Sequence, residues 1–365
     1  MEFWSDVISS ESITPSLHHS ITPSLHYTIM KEAILEQPGL FSLRDTAEPA
    51  PSAGEVLLRI HRVGVCGSDL HAFRGRQPFF EYPRVPGHEL GAEIVEVAPN
   101  DRGLKAGDRV AVEPYLSCGQ CRACRLGRPN CCRSMRVIGV HVDGGLCERF
   151  VAPLDKLHRG GSLSFDQLAL VETLGIGAHA VTRAQLQRGE WAVVVGAGPI
   201  GLAAIQFALA AGARVIAVDI NEERLAFAGR LGVQHAVNAQ TANVAGAVRE
   251  LAGDDLADCV FDATGALKSM ETSFDFVGTC GRVVFVGLAQ GRVSFDDPAF
   301  HRRELAVLAS RNSAGEFPRI IRMIERGEID TRPWITHRLA LAEVPEKFAR
   351  LHDPGIGLIK AMIEV

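Results

Sequence analysis

Residues 191–219 restrict the possible folds more than any other part of the chain. Trp191-Ala192-Val193-Val194-Val195 is an unbroken apolar run of strand length. It leads directly into Gly196-Ala197-Gly198-Pro199-Ile200-Gly201 and an alanine-rich helix. A second strand pattern, Arg214 to Val218, ends in Asp219. A G-x-G-x-x-G that follows a strand, opens a helix and is answered by an acidic residue about twenty positions on is a dinucleotide-binding arrangement. Gly196, Gly198, Pro199, Ile200 and Gly201 are the candidate contacts, because such a turn brings backbone N–H groups to a pyrophosphate at the positive end of a helix. Asp219 would accept hydrogen bonds from both ribose hydroxyls and repel a 2′-phosphate, which favours NAD over NADP. Arg224 either flanks the adenine or is a solvated helix residue. The run from Trp191 to Ile220 is long and apolar, but its glycines, Pro199, Arg214 and Asp219 exclude a membrane span.

Strand and helix signals keep alternating through Ala236–Asn238, Asp258–Asp262, Gly281–Gly287 and Leu305–Ser310. That rhythm predicts an α/β doubly wound parallel sheet. Gly265 and Gly287 fall just after strands, where ligands sit in such sheets. After Arg311-Asn312 the rhythm stops. An amphipathic helix over 317–326 and an apolar strand over 358–365 follow, and this tail is expected to rejoin an earlier domain.

Upstream, a branched-residue strand over 55–61 runs into Cys66-Gly67-Ser68-Asp69-Leu70-His71, and Gly87-His88-Glu89 follows about twenty residues later. Thiolate and imidazole suit zinc, and so few ligands fit an open catalytic site better than a closed structural one. Ser68-Asp69 reads as a helix start, which puts Ser68 and His71 on one face. Glu172 is an isolated carboxylate in apolar surroundings, which calls for a cation or a donor beside it. Cys118-x2-Cys121-x2-Cys124-x7-Cys132 has the spacing of a closed four-thiolate zinc site that staples a loop. Cys131 is the alternative fourth ligand, and Cys132 is preferred.

Five arginines (Arg122, Arg125, Arg128, Arg133, Arg136) surround those cysteines. A net charge of −5 and the lack of interleaved aromatics still argue against a nucleic-acid ribbon. Nine cysteines, four of them at ligand spacing, in a chain of 365 residues read as metal binding in a reducing compartment, hence cytoplasmic. In residues 1–29, Ser12–His19 is nearly repeated by Ser20–Tyr27. The segment is expected to be a disordered or spurious extension, with Met30 as the natural start.

Taken together, these residues resemble the zinc-containing medium-chain dehydrogenases, the family of alcohol, sorbitol and threonine dehydrogenases. The carriers are Cys66-Gly67-Ser68-Asp69 with His71, Gly87-His88-Glu89, the four-cysteine lobe and the glycine turn before Asp219. Softer markers, among them Phe73-Arg74-Gly75, Gly139-Val140-His141 and Ser310-Arg311-Asn312, are similar to bacterial sugar-acid and polyol dehydrogenases of the L-galactonate type. The resemblance implies a GroES-like, mainly β catalytic domain over 30–172 with a structural zinc lobe at 118–132. It further implies a Rossmann domain over 173–311 and a return to the catalytic domain over 312–365. It implies two zinc ions per chain: Cys118, Cys121, Cys124 and Cys132 hold one, and Cys66 and His88, with Glu89 or Glu172, hold the other. It also implies that Ser68 passes the substrate proton through the nicotinamide ribose to His71, that Arg311 contacts substrate, and that the chain forms a homodimer or homotetramer. The function implied is hydride transfer from a secondary alcohol, a polyol, sugar or aldonate, to NAD. The alternatives are a simple alcohol or threonine dehydrogenase, a non-catalytic NAD-binding relative and a thiol-based zinc sensor.

Overall fold

In the computed structural model, residues 28–353 and 355–365 are described; the extension expected over 1–29 falls outside them up to residue 27. Ile29 already belongs to the first strand, Ile29–Gln37, which pairs antiparallel with Leu40–Ala47. The folded chain therefore takes in Ile29, one residue ahead of Met30.

The alternating region forms a six-stranded sheet in which every pair is parallel. In space the order is His235–Asn238, Arg214–Asp219, Trp191–Val195, Ala257–Asp262, Val277–Phe285, Ala306–Ala309. Trp191–Val195 is buried along its whole length, as a strand covered on both faces must be. From it the chain winds first toward Arg214–Asp219 and later toward Ala257–Asp262. Its carboxyl end is therefore the switch point at which such sheets bind ligands.

The second sheet has seven strands and is largely antiparallel. Its spine runs Ile335–Ala340, Lys360–Glu364, Glu55–Val65, Glu89–Val97, Arg109–Val112, Leu157–Arg159, and Arg149–Pro153 also pairs with Glu55–Val65. The C-terminal strand rejoins this sheet by pairing Ala361 with Val65. A short ladder, Tyr115–Leu116 with Arg136–Val137, closes the base of the cysteine lobe.

One helix, Phe165–Ala184, joins the two sheets. Ser164 and Gln167 form a capping box at its start, satisfying backbone N–H groups that have no partner within the helix. The first turn lies so close to strand Glu89–Val97 that a Cβ on Gly91 would sit 2.1 Å from the Phe165 carbonyl. Further along, a Cβ on Gly177 would meet the backbone of Ala203, in helix Pro199–Ala210, at 2.4 Å. This helix runs through the boundary expected between residues 172 and 173, with residues 168–175 all buried. Helix Phe317–Glu325 buries Ile320, Ile321 and Ile324 in the core shared with Phe165–Ala184 and Pro199–Ala210, and only the strands from Ile335 onward join the mixed sheet. No helix among the described residues is long and apolar enough to cross a membrane.

Candidate active site

Cys66 follows strand Glu55–Val65 and stands at the N-cap of helix Gly67–Phe73, where its backbone N–H donates to Asp69 Oδ2 at 2.9 Å. His88 precedes strand Glu89–Val97. The turn into it needs Gly87, whose φ is +100° and whose Cβ would lie 3.0 Å from the Leu146 nitrogen. Across the ladder, Gly64 opposes Glu89, and a side chain there would strike Glu89 Oε2 at 2.0 Å. These approaches bring a thiol, an imidazole nitrogen and a carboxylate oxygen of Cys66, His88 and Glu89 within 4.8 Å of one another. Ser68 Oγ lies 3.4 Å from His88 Nε2, and Asp69 Oδ1 lies 3.7 Å from His88 Nδ1.

The ring is largely buried and rich in acidic groups. His88, Glu89, Asp69 and Glu172 are all buried. Burial pushes the carboxyls of Asp69 and Glu172 above the ordinary carboxylate range. Burial would lower His88, but Asp69, Cys66 and Glu172 together carry it well above the usual imidazole value. Such a donor set fits a divalent cation, which would offset the crowded negative charge.

Two partners decide how the carboxylates are shared. Lys360 Nζ, fully buried, donates to both oxygens of Glu89 at 2.7 and 2.8 Å and to Thr173 Oγ1 at 3.0 Å. Burial alone would lower the Lys360 pKa, but Glu89 raises it, so the ammonium keeps its charge. Glu172 lies in the second turn of helix Phe165–Ala184 and accepts a hydrogen bond from the Tyr115 hydroxyl. Sequence reasoning names Asp69 only as part of the helix start and motif, and does not single out Tyr115 or Lys360. Asp69 stands inside the Cys66–His71 motif and was legible there; Lys360 lies 271 residues from Glu89, and only the sheet register joins them.

In the lobe, Cys121 Sγ lies 3.5 Å from Cys124 Sγ and 3.9 Å from Cys132 Sγ. Four thiolates around zinc, each at about 2.3 Å, stand about 3.8 Å apart in a tetrahedron. Backbone N–H groups of Arg133 and Cys124 hold the Cys121 thiol down to about 6, which favours the thiolate. The sulfurs of Cys118, Cys121, Cys124 and Cys132 form one cluster, while Cys131 is exposed.

At the switch point, Gly196 takes φ +94°, and a Cβ on Gly201 would fall 1.6 Å from the Gly196 carbonyl. Helix Pro199–Ala210 thus starts hard against the turn, with Gly198 as its N-cap and Ile200 half-buried. Asp219 accepts from Ala197 N at 2.6 Å and from Asn221 N at 2.9 Å, so its carboxylate braces the turn and still has acceptor capacity left. Gly196, Gly198, Asp219, Arg224, Asn243 and Thr264 line a cavity of about 710 Å³. Gly265 and Gly287 meet beside it; a Cβ on Gly287 would lie 2.2 Å from Gly265 N. Arg224 also borders a second cleft of about 600 Å³ that reaches Leu70, on the helix carrying Ser68 and His71, and Arg74 at its C-cap. His71 is exposed, and among the described residues no hydrogen bond joins it to Ser68. Arg311 is exposed on the loop after strand Ala306–Ala309.

Comparison with known proteins agrees with this geometry. The alcohol dehydrogenase GroES-like domain family matches residues 52–161, and the zinc-binding dehydrogenase family matches residues 199–326. The L-galactonate-5-dehydrogenase of Escherichia coli is 39% identical over 92% of this chain and 98% of its own length. The chain belongs to the zinc-binding alcohol dehydrogenase family.

Solved members of this family share its architecture. A dehydrogenase of Escherichia coli complexed with NADH superposes with a TM-score of 0.87 at 29% identity, covering 92% of this chain and 99% of that one. A zinc-binding dehydrogenase of Sinorhizobium meliloti bound to NADP gives 0.87 at 28% identity, covering 93% and 100%. As a member of the family, the protein is a zinc-dependent oxidoreductase that acts on CH–OH donors with a nicotinamide cofactor.

Proposed function

We propose that this dehydrogenase oxidises a secondary hydroxyl of a polyol or sugar acid, such as an aldonate, with NAD. The observation that carries the proposal is the buried ring of Cys66, His88 and Glu89 donors with Ser68 at its edge. The sugar-acid side of the reading is supported by the likeness to the L-galactonate dehydrogenase.

Cys66, His88 and Glu89 would hold the catalytic zinc, with Glu172 beside it on the Tyr115 hydroxyl; Cys118, Cys121, Cys124 and Cys132 would hold a second zinc. When bound, zinc supplies a Lewis acid to the hydroxyl oxygen and NAD a hydride acceptor. Asp69, 3.7 Å from His88 Nδ1, orients the imidazole so that Nε2 faces the ring. Ser68 Oγ, at the edge of the ring, would take up the hydroxyl proton while giving up its own, and the nicotinamide ribose would bridge it to His71, which is exposed and exchanges the proton with solvent. Gly196, Gly198, Pro199, Ile200 and Gly201 cradle the pyrophosphate, with Gly265 and Gly287 close beside it. Asp219 holds the adenosine ribose and disfavours a 2′-phosphate, and Arg224 flanks the adenine. Arg311 binds a substrate hydroxyl or carboxylate. Strand Ala306–Ala309, at the sheet edge with Val307 exposed, supports assembly as a homodimer or homotetramer, and the free cysteines support a cytoplasmic setting.

The test is NADH formation from NAD with aldonates, polyols and simple secondary alcohols, with and without a zinc chelator. Chelator-sensitive turnover on an aldonate or polyol is the expected result. Preference for a simple alcohol would overturn the substrate class, and no turnover by zinc-loaded protein would favour a non-catalytic role.

A further inference from the structure

The family's reaction leaves the cysteine lobe with only a structural task, but its contacts lead elsewhere. Four residues on one face of helix Phe165–Ala184, spaced 3, 1 and 3 apart, mark the route: Glu172, Gly175, Ile176 and His179. Glu172 takes the hydroxyl of Tyr115, which stands in the ladder at the base of the lobe. Ile176 packs against the lobe's own small core around Cys132 and Met135. His179 meets Asn130, the buried residue between Pro129 and Cys131. Gly175 seats Ser313, whose Oγ would lie 3.1 Å from a Cβ there.

Asn130 is the joint. Its Nδ2 donates to the Arg311 carbonyl at 2.8 Å and lies 3.2 Å from His179 Nε2. Both amide hydrogens are used if His179 accepts at Nε2. That requires a neutral ring, and burial lowers the His179 pKa accordingly. The loop so held carries Asn312 at φ +50°, a left-handed turn that asparagine adopts more readily than other non-glycine residues. Beyond it, Glu316 accepts from Thr182 Oγ1 on the same helix at 2.9 Å.

We propose that the four-thiol lobe is a positioning device for the substrate end of the active site, acting through Asn130 on the loop that presents Arg311. Asn130 is a positioning residue, since it touches backbone and not substrate. The proposal rests on the reading of Arg311 as a substrate contact.

The decisive variant is Asn130→Asp. It keeps the shape and replaces the donor with an acceptor facing the Arg311 carbonyl. In hydrogen exchange on the whole protein, amides of residues 310–313 should exchange about tenfold faster, while those of strand Trp191–Val195 stay unchanged. With the turnover substrate, KM should rise about tenfold or more and kcat change less than twofold, with zinc content intact. Asn130→His, which restores an N–H donor at similar reach, should recover part of the KM. Unchanged exchange at 310–313 would overturn the tether. Faster exchange with unchanged KM would leave the tether standing but overturn its role toward substrate. Because the exchange measurement needs no activity, failure of the tether is distinguishable from failure of the dehydrogenase reading.

Discussion

Lys360 and Glu89 form the most enclosed ion pair among the described residues, with side chains about 1% exposed on both sides. Such pairs are costly to break one-sidedly, because the survivor is left charged and dry. Lys360→Met should therefore destabilise the zinc-free protein by about 3–5 kcal/mol. If Glu89 also ligates zinc, the loss should be clearly smaller in zinc-loaded protein, since the ion then neutralises the same carboxylate. Denaturant unfolding with and without chelator measures both; equal losses would assign the metal to Glu172 instead. Asp219 carries a second prediction. Its oxygens serve both the Ala197 and Asn221 amides and the cavity. Asp219→Ser should weaken NADH binding about tenfold or more, as expected when a charged acceptor is lost, and narrow the proposed preference over NADPH; calorimetric titration of both cofactors reads this.

At the scale of elements, the turn after Trp191–Val195 and its helix were legible because their residues carry local conformational demands. Gly201 is glycine because the Gly196 carbonyl occupies the place of its Cβ. Gly201→Ala should abolish NADH binding while leaving zinc content unchanged, measured by fluorescence titration and metal analysis. A variant that binds NADH normally would show that the turn can shift to admit a methyl group. The four-cysteine lobe was legible for a similar reason, since its ligands are close in sequence. Helix Phe165–Ala184 was harder to read: it is buried nearly all round, so it lacks the polar face that periodicity detects. Glu172 stood out in sequence as an unsatisfied charge, but its partner Tyr115 lies 57 residues away and is brought near only by the ladder at the lobe's base. The sheet pairing that buries Lys360 against Glu89 is equally non-local, so no short window contains it.

On the scale of the whole molecule, the first turn of that helix is tied to the mixed sheet. Asp166 accepts from Arg62 Nε at 2.8 Å and from Arg338 Nη2 at 2.5 Å, so one carboxylate clips the helix to strands Glu55–Val65 and Ile335–Ala340. Burial alone would raise its pKa, but the guanidiniums of Arg338 and Arg62 more than offset this and hold it below the usual aspartate value. A carboxyl whose folded pKa is depressed adds stability that is fully present above its unfolded value, about 3.9, and is lost as pH falls through the folded value. The contribution of Asp166 should therefore be constant from neutral pH down to about pH 5 and fade below about pH 4. Asp166→Asn removes the titrating group and should lower stability at pH 7. The gap between variant and wild type should then shrink on acidification below about pH 4, and 1 M salt should shrink it at pH 7 because the site is partly exposed. Thermal unfolding of both proteins across pH 3–7 measures the gap. A gap that does not change with pH would mean that the variant loses packing or hydrogen bonds and not charge, and the clip would then owe its strength to shape alone.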